Sequence, residues 1–297
     1  MAGLEIHPLS ELRDEAASLL AERFARQREA EPLLPQIDDF GPHVPEDGLV
    51  ATRGGEAVAY LAGAVEEESK MARWLFAGHA AREPEALRDL FAAQAGELGV
   101  SRFMVTVPAS APELLDVWFR LAFGCQAVWA VRETEAAAAV DFAGTIRPAT
   151  TDDVEAIVDL DLILYAHQEA TPSFSEFPPP PREQSRAEAD ELWVDPYVTF
   201  VAEQNGAVVG VLILYARPEG DLRVPARNID LAFAATRAEV RGSGAGLALT
   251  AFALRYAHEH GYRSLTTDWR MVNLLSSRFW PNRGFRPQYL RLYRRVP

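Results

Sequence analysis

The chain carries one α/β pattern twice, and this internal repeat constrains its fold more than any other feature of the sequence. The segment LEIHPLSELRDEAASLL, from Leu4, resembles GTIRPATTDDVEAIVDL, from Gly144, and each is typical of a short strand, a proline and an amphipathic helix. Further on, LVATRGGEAVAYLAG, from Leu49, resembles FVAEQNGAVVGVLIL, from Phe200, and both are typical of a hairpin with a tight glycine turn. The pattern predicts one structural unit used twice.

A third pair of segments fixes the register of the repeat. ELLDVWFRLAFG, from Glu113, aligns with NLLSSRFWPNRG, which begins 160 residues later at Asn273. Because the three pairs occur in the same order, we predict two tandem domains, residues 1–142 and 143–297. The boundary lies near the segment DFAGT, Asp141–Thr145.

Apolar periodicity, glycines and prolines predict the elements of the second copy. We expect strands at residues 145–147, 198–203, 207–215, 228–236, 264–269 and 288–293. We expect helices at residues 152–167, around 186–192, and at about 244–260 and 272–280.

Composition excludes several classes of function. The net charge of -14 argues against a nucleic-acid partner, and it favours attraction of a small cationic substrate. No apolar run approaches the roughly 18 residues of a membrane span, so we expect no membrane partner. Cys125 is the only cysteine and no Cys/His cluster has metal spacing, so we expect no metal. The first residues lack the pattern of a signal peptide, which predicts a cytoplasmic protein.

A glycine-rich segment, VRGSGAG at Val240–Gly246, lies between a predicted strand and a predicted helix. Free N–H groups and the helix dipole make such a position an anion site, and glycines let the backbone approach phosphates closely. No Lys-Ser/Thr pair follows, which excludes a P-loop. The G-x-G-x-G spacing, without a suitably placed acidic residue further on, disfavours a dinucleotide fold.

Residues Arg241–Gly246 resemble the R/Q-x-x-G-x-G/A loop of the GCN5-related N-acetyltransferase (GNAT) superfamily. IDLAFAATRAEVRGSGAG is similar to that superfamily's central strand and loop, and NLLSSRFWPNRGF is similar to its Asn-led helix ending in Gly-Phe. The resemblance covers residues 145–297, and the whole chain resembles tandem members with one degenerate copy. It implies an α/β (α+β) fold of two tandem domains, each with a mixed, mostly antiparallel sheet flanked by helices.

The resemblance also implies acetyl-CoA, or another acyl-CoA, as co-substrate, with no metal. The loop amides would hold the pyrophosphate, the central strand would lie along the pantetheine arm, and a strand N–H near its end would polarise the thioester carbonyl. The residues implied are Ala234, Ala235, Thr236, Arg241, Gly242, Ser243, Gly244, Ala245, Gly246 and Asn273.

The first copy lacks these features. Its loop reads AREPEA at Ala81–Ala86, where Pro84 removes an amide and two carboxylates would repel phosphate. Glu113 stands at the position of Asn273. We expect residues 1–142 to keep the fold without binding coenzyme, in a structural role.

The predicted chemistry is transfer of the acyl group to an amine, with Asp230 on the central strand as the base that the resemblance implies. Trp280 stands where the superfamily usually has a tyrosine that protonates the thiolate, and an indole N–H does not donate a proton. Ser277, Tyr289 or water would then supply the proton, or no acid is needed. Two other functions stay open: binding of acyl-CoA without catalysis, and transfer to a hydroxyl or thiol.

The acceptor site is predicted from two segments that are longer in the second copy, at residues 167–183 and 217–228. An acidic and aromatic mouth for a small cationic amine would comprise Tyr165, Glu169, Phe174 and Phe177. The alternative is that these aromatic rings belong to the core. No catalytic role is expected for His167, His258 or His260. The oligomeric state is left open between monomer and homodimer.

Overall fold

The computed structural model describes residues 3–175, 178–218 and 220–296. Contacts divide the chain into two compact units, each made from separate stretches of sequence. Unit 1 comprises Met1–Trp129, Gly220–Arg223 and Pro287–Pro297, and unit 2 comprises Ala130–Glu219 and Val224–Arg286. The chain therefore returns to unit 1 for its last strand. The boundary between residues 142 and 143 concerns sequence similarity rather than contacts, and it stays a prediction.

The first copy of the repeat forms most of unit 1. Its elements are β1 (Leu4–Pro8), α1 (Arg13–Ala30), β2 (Gly48–Arg53), β3 (Glu56–Ala62), β4 (Ala64–Glu66), β5 (Met71–Trp74), β6 (His79–Ala81), α2 (Ala86–Ala95), β7 (Arg102–Pro108), α3 (Pro112–Arg120) and β8 (Gly124–Glu133). The chain passes from unit 1 to unit 2 within β8.

The second copy forms unit 2 and adds the final strand. Its elements are β9 (Thr145–Pro148), α4 (Val154–Glu169), α5 (Arg182–Asp190), β10 (Tyr197–Gln204), β11 (Ala207–Tyr215), β12 (Asn228–Thr236), α6 (Ala245–Glu259), β13 (Ser264–Arg270), α7 (Ser276–Phe279) and β14 (Arg286–Arg295).

Two sets of paired strands form the β-structure of unit 1. Strands β1, β2, β3 and β6 pair antiparallel in that order. In the second set β4 pairs antiparallel with β5, β5 pairs parallel with β7, and β7 pairs antiparallel with β14. The core of unit 1 holds Trp74 and Trp118, and Phe91 on α2 contacts both rings edge-on.

Unit 2 has one continuous set of five paired strands. Strands β9, β10, β11 and β12 pair antiparallel, and β12 pairs parallel with β13. Helix α4 packs on this sheet through a cluster of buried apolar residues: Ile157, Leu160, Val201, Val211 and Ile213. The predicted fold class, mixed and mostly antiparallel sheets flanked by helices, is confirmed.

The helix that follows β13 is shorter than predicted. We expected a helix over residues 272–280, but α7 begins only at Ser276. The side-chain oxygen Oδ1 of Asn273 accepts hydrogen bonds from the N–H groups of Leu275 (3.1 Å) and Ser276 (3.4 Å). This asparagine therefore shapes a turn ahead of the helix, as residues of its type commonly do, instead of continuing the helix.

Among the described residues, no helix is long and apolar enough to cross a membrane. Within the same part of the chain, no group of three or more His, Cys, Asp or Glu side chains is placed to hold a metal ion.

Candidate functional site

Strands β12 and β13 separate halfway along β12. Their parallel pairing covers Asn228–Leu231 on β12 and ends there. Next to this point Ala232 forms a bulge against β11, which otherwise follows β12 as far as Thr236. Bulges bend a strand and are common beside functional sites. The second half of β12 therefore presents an edge that is open on the side of β13 over residues 232–236.

The glycine loop, Val240–Gly246, connects the open end of β12 to helix α6. Gly242 has φ 86° and Gly244 has φ 93°, both in the left-handed region that favours glycine. The first N–H that joins the bonding ladder of α6 is that of Ala248, which donates to the carbonyl of Gly244 at 2.8 Å. The N–H groups of residues 245–247 lie ahead of that ladder, at the positive end of the helix dipole.

A cleft of about 480 Å³ opens beside this loop, and we call it the loop cleft. Of the residues that the resemblance implies for the coenzyme, all except Ser243 line it: Ala234, Ala235, Thr236, Arg241, Gly242, Gly244, Ala245, Gly246 and Asn273. Ser243 is exposed, and its N–H is already used, because it donates to the carbonyl of Val240 at 3.0 Å. The roles of these residues stay predictions, but the structure brings them together.

His167 lines the loop cleft, although no catalytic role was expected for it from the sequence. Its Nε2 lies 3.2 Å from Oδ1 of Asn273, the oxygen that also accepts the N–H groups of Leu275 and Ser276. The two residues are far apart in sequence, so only the packing of α4 beside the turn before α7 reveals the pair. A histidine near the end of a helix offered no local signal for this contact.

Trp280 also lines the loop cleft, and its ring is buried edge-on against Phe279 and Phe285. Ser277 is not among the lining residues, whereas its neighbour Ser276 is. Tyr289 lies fully buried in unit 1, where burial raises its pKa to about 12. The structure therefore does not bring Ser277 or Tyr289 to this cleft as substitutes for the missing tyrosine.

Asp230 lies at the start of β12, ahead of the bulge, and it lines neither this cleft nor the one described next. Its Oδ2 accepts a hydrogen bond from Arg217 at 2.7 Å, and its Oδ1 accepts one from the hydroxyl of Thr266 at 2.8 Å. Its role as base stays a prediction. The geometry favours a structural role instead, because the buried carboxylate already has a cationic partner and a hydroxyl donor.

A second cleft of about 510 Å³ lies between α4, the end of β13 and the prolines Pro178–Pro181, and we call it the proline cleft. Its lining comprises Asp161, Leu164, Tyr165, Gln168, the four prolines, Gln184, Phe233 and Arg270. Leu164 lines both clefts, so they share a wall on α4. Of the residues predicted for the acceptor, Tyr165 is in this lining. Glu169 and Phe174 are exposed and outside it, and Phe177 lies outside the described residues.

Asp161 is the carboxylate of the proline cleft. The buried hydroxyl of Ser185, on α5, donates to its Oδ2 at 2.7 Å. Burial raises the pKa of Asp161, the hydrogen bond from Ser185 acts in the opposite direction, and the charge of Glu188 adds to the rise. A carboxylate in this state gains free energy from a cation that enters the cleft.

In unit 1 the loop at the equivalent position of the repeat, Ala81–Ala86, uses several of its N–H groups in hydrogen bonds within the unit. The N–H groups of Arg82 and Glu83 both donate to the carbonyl of Val58, at 2.8 Å and 3.2 Å. Pro84 has no N–H. The carboxylate of Glu83 pairs with Arg53 at 2.9 Å. These polar groups of the loop are therefore already bonded to other residues of unit 1.

Comparison with known proteins agrees with this geometry. Residues 164–285 match the sequence profile of the acetyltransferase (GNAT) family. No curated protein matches the chain. Among solved structures, a GCN5-related N-acetyltransferase from Sphaerobacter thermophilus is similar over 98% of this chain and 95% of its own, with 16% identity and a TM-score of 0.58.

Two further structures are similar over nearly the whole chain. A tandem GNAT protein from the clavulanic acid biosynthesis pathway matches over 99% of both chains, with 15% identity and a TM-score of 0.52. A GCN5-related glucosamine N-acetyltransferase region of a fungal multi-domain GH3 β-N-acetylglucosaminidase matches over 99% of this chain and 38% of that one, with 15% identity and a TM-score of 0.55. At such identities the likeness concerns the fold.

Proposed function

We propose that this chain, which has the tandem GNAT fold and a GNAT family match in its second copy, is an acyl-CoA-dependent N-acyltransferase. Acetyl-CoA is the expected donor, and the acceptor is the amine of a small cationic molecule. The observation that carries the proposal is the glycine loop, whose left-handed glycines precede the free N–H groups of α6 at the edge of the loop cleft.

The lining of the loop cleft suits coenzyme A. Arg241 and Arg283 supply positive charge for phosphate groups, beside the helix N-terminus. The walls between them and α4 are largely apolar, as an extended pantetheine arm requires, and they include Val211, Leu249 and Phe279. The open edge of β12 offers backbone N–H and C=O groups to the amides of that arm and to the thioester carbonyl.

The proline cleft suits a cationic acceptor. It shares the lining residue Leu164 with the loop cleft, so an amine bound there would be on the same side of α4 as the proposed coenzyme. Asp161 supplies the negative charge, and the ring of Tyr165 supplies an aromatic face for a cation. The reaction needs a neutral amine nitrogen that attacks the thioester carbonyl, while the C–S bond breaks and the thiol leaves.

Calorimetric titration with acetyl-CoA and measurement of thiol release with a panel of amines test the proposal. We expect binding, a stabilisation of about 2.7 kcal/mol at 100 times Kd, and thiol release that depends on the amine. Absence of binding at millimolar acetyl-CoA would contradict the proposed coenzyme site.

The variant Asp161→Asn tests the acceptor side separately. Because a charge-assisted hydrogen bond contributes about 1.5–3 kcal/mol, its loss should raise the KM of a diamine by about 10- to 100-fold, with little change in acetyl-CoA affinity. Glu155→Gln is the matched control, since Glu155 lies on the same helix and pairs with Arg182 and Arg186 outside the cleft. An unchanged KM in Asp161→Asn would remove Asp161 from acceptor binding.

One observation favours a second candidate, a protein that binds acyl-CoA without transferring the acyl group. Trp280 occupies the cleft position at which the superfamily usually has a proton donor. Acetyl-CoA binding without thiol release, across amines, alcohols and thiols, would support this candidate over the first.

A further inference from the structure

The loop cleft has few groups that exchange protons near neutral pH. Of the described residues that line it, His167 is the one whose side-chain type changes charge between pH 5 and 8. The other charged lining residues, Arg241 and Arg283, keep their protons throughout that range. A proton that moves within this cleft at neutral pH therefore has His167 as its natural carrier.

The hydrogen bonds around Asn273 define which nitrogen of His167 is basic. Oδ1 of Asn273 accepts the N–H groups of Leu275 and Ser276, so the amide is held with its oxygen, not its NH2 group, on that side. The same oxygen lies 3.2 Å from Nε2 of His167, and an amide oxygen only accepts. Nε2 therefore carries the proton of the neutral imidazole, and Nδ1 carries the lone pair.

The position of His167 on α4 places it beside the junction of the two clefts. Leu164, which lines both clefts, lies three residues earlier, and residues at this spacing are neighbours on one face of a helix. The imidazole is thus one helical turn from the wall where an acceptor amine and the acyl group would meet. Trp280, in the same cleft, cannot donate a proton to the thiolate.

We propose that His167 is the proton-transfer residue of unit 2, an inference that rests on the proposed acyl transfer. The neutral amine nitrogen attacks the thioester carbonyl carbon and forms the N–C bond. As the C–S bond breaks, Nδ1 takes a proton from that nitrogen, and the imidazolium returns the proton to the departing thiolate sulfur. The products are an amide and a free thiol, and His167 ends neutral.

Asn273 is then a positioning residue, which holds the tautomer and does not touch the reacting atoms. The charged groups that share the cleft with His167 are Arg241 from the glycine loop and Arg283 from the segment after α7. The turn before α7 contributes the uncharged Asn273 and Ser276.

The variant His167→Gln tests the inference through kcat, acetyl-CoA affinity and the pH profile. We expect acetyl-CoA affinity within about twofold of the unmodified protein and a loss in kcat of about 100-fold or more, the usual contribution of general acid–base catalysis. The ratio of unmodified to variant kcat should rise with pH, because the unmodified protein carries a side chain that must be neutral to accept the proton, whereas glutamine does not. This ratio cancels the titration of the amine, which is common to both proteins.

His258→Gln is the control, since His258 is an exposed residue in the last turn of α6, away from both clefts, and its kcat should be unchanged. A His167→Gln variant with kcat within threefold of the unmodified protein, or with a ratio that is flat in pH, would overturn the inference. Failure of the proposed function has a different signature, because it would appear as absent acetyl-CoA binding in the unmodified protein.

Discussion

The loops Arg241–Gly246 of unit 2 and Ala81–Ala86 of unit 1 occupy the same position of the repeat and use their polar groups in opposite ways. In unit 2 the N–H groups of residues 245–247 precede the ladder of α6 beside a cleft. In unit 1 the carbonyl of Val58 accepts the N–H groups of Arg82 and Glu83. The two copies share the strand–loop–helix path and differ in the hydrogen bonds that the N–H groups of the loop make.

Helices α1 and α4, which correspond to each other in the repeat, also differ in the side chains that they place at equivalent positions. The repeat aligns Leu4 with Gly144, so Arg23 and Gln27 of α1 correspond to Ile163 and His167 of α4. Ile163 and His167 line the loop cleft, whereas Arg23 and Gln27 are buried. The guanidinium of Arg23 donates to the carbonyls of Phe76 and His79, on either side of the break between β5 and β6. Long polar side chains thus fill in unit 1 the position that unit 2 leaves open.

The largest effect is expected when the glycine loop receives a negative charge like that of its counterpart in unit 1. Gly244→Asp should weaken acetyl-CoA binding by about 100-fold or more, or about 2.7 kcal/mol, because it places a carboxylate where phosphates are proposed to bind. Titration calorimetry measures the effect. A Cβ at this position would also lie 3.0 Å from the carbonyl oxygen of Asp141, so Gly242→Asp, with open space around it, is the second variant.

Gly206→Asp is the control for backbone strain in this experiment. Gly206 lies in the turn between β10 and β11 with φ 76° and open space around it, so it carries the same left-handed penalty far from the loop in sequence. We expect it to keep acetyl-CoA affinity while it lowers the melting temperature. Retained affinity in both loop variants would mean that the coenzyme binds elsewhere.

A smaller effect is expected on the pH dependence of stability, from a histidine in the interior of unit 1. His79 is fully buried in unit 1, and burial together with the nearby charge of Arg23 lowers its pKa to about 3. An unfolded histidine has a pKa of about 6.5. Below that pH the unfolded chain binds a proton on this side chain, whereas the folded unit keeps the imidazole neutral. Stability should therefore fall as the pH drops from about 6.5 towards 3, by up to about 1.4 kcal/mol per pH unit.

Urea unfolding at several pH values measures this slope, with the variant His79→Leu as its test. Whatever its absolute stability, the variant should have a free energy of unfolding that depends less on pH between about 6.5 and 4.5. The reason is that leucine binds no proton in either the folded or the unfolded state. His7→Leu is a suitable control, since His7 is only half-buried and bonds to the hydroxyl of Thr52. Equal slopes in His79→Leu and the unmodified protein would refute the assignment.

The smallest effect is expected from giving unit 1 the segment Gly242–Gly246 of unit 2 in place of Arg82–Ala86. The substitutions are Arg82→Gly, Glu83→Ser, Pro84→Gly, Glu85→Ala and Ala86→Gly. We expect the stoichiometry of acetyl-CoA to stay at one per chain, because Arg23 and Gln27 still fill the position beside the loop. A second bound acetyl-CoA in calorimetry would show that the loop alone decides between the two copies.

The sequence predicted elements whose signals are local. The bounds of β11 and β12 agree with the prediction because each is an apolar run that turn or loop residues delimit. The Asn-led helix was predicted too long, because periodicity does not reveal that the side chain of Asn273 caps a turn. The contact of His167 with Asn273 spans 106 residues and depends on how α4 packs, so no local pattern announces it.

The assignment of residues to sites shows the same limit. The glycine loop was recognisable because the role proposed for its glycines depends on the backbone, whose path the local sequence controls. The sequence did not single out Asp161, because the role proposed for it depends on how α5 packs beside α4 and brings Ser185 to its carboxylate. Glu169 and Phe174 were chosen for their chemistry, but both are exposed and outside the lining of the cleft that Tyr165 lines, and Phe174 lies beyond the end of α4.

The position of strand β14 in the sequence determines when unit 1 can be completed during synthesis. It completes the edge of β7 in unit 1, yet it is translated after all of unit 2. At about 5–20 residues per second, a ribosome needs about 8–30 s to travel from Trp129 to Pro287. During that time β7 has an unpaired edge, and such edges are prone to pair with strands of other chains. Unit 1, most of which is synthesised first, therefore cannot be complete until Pro287–Pro297 have been made.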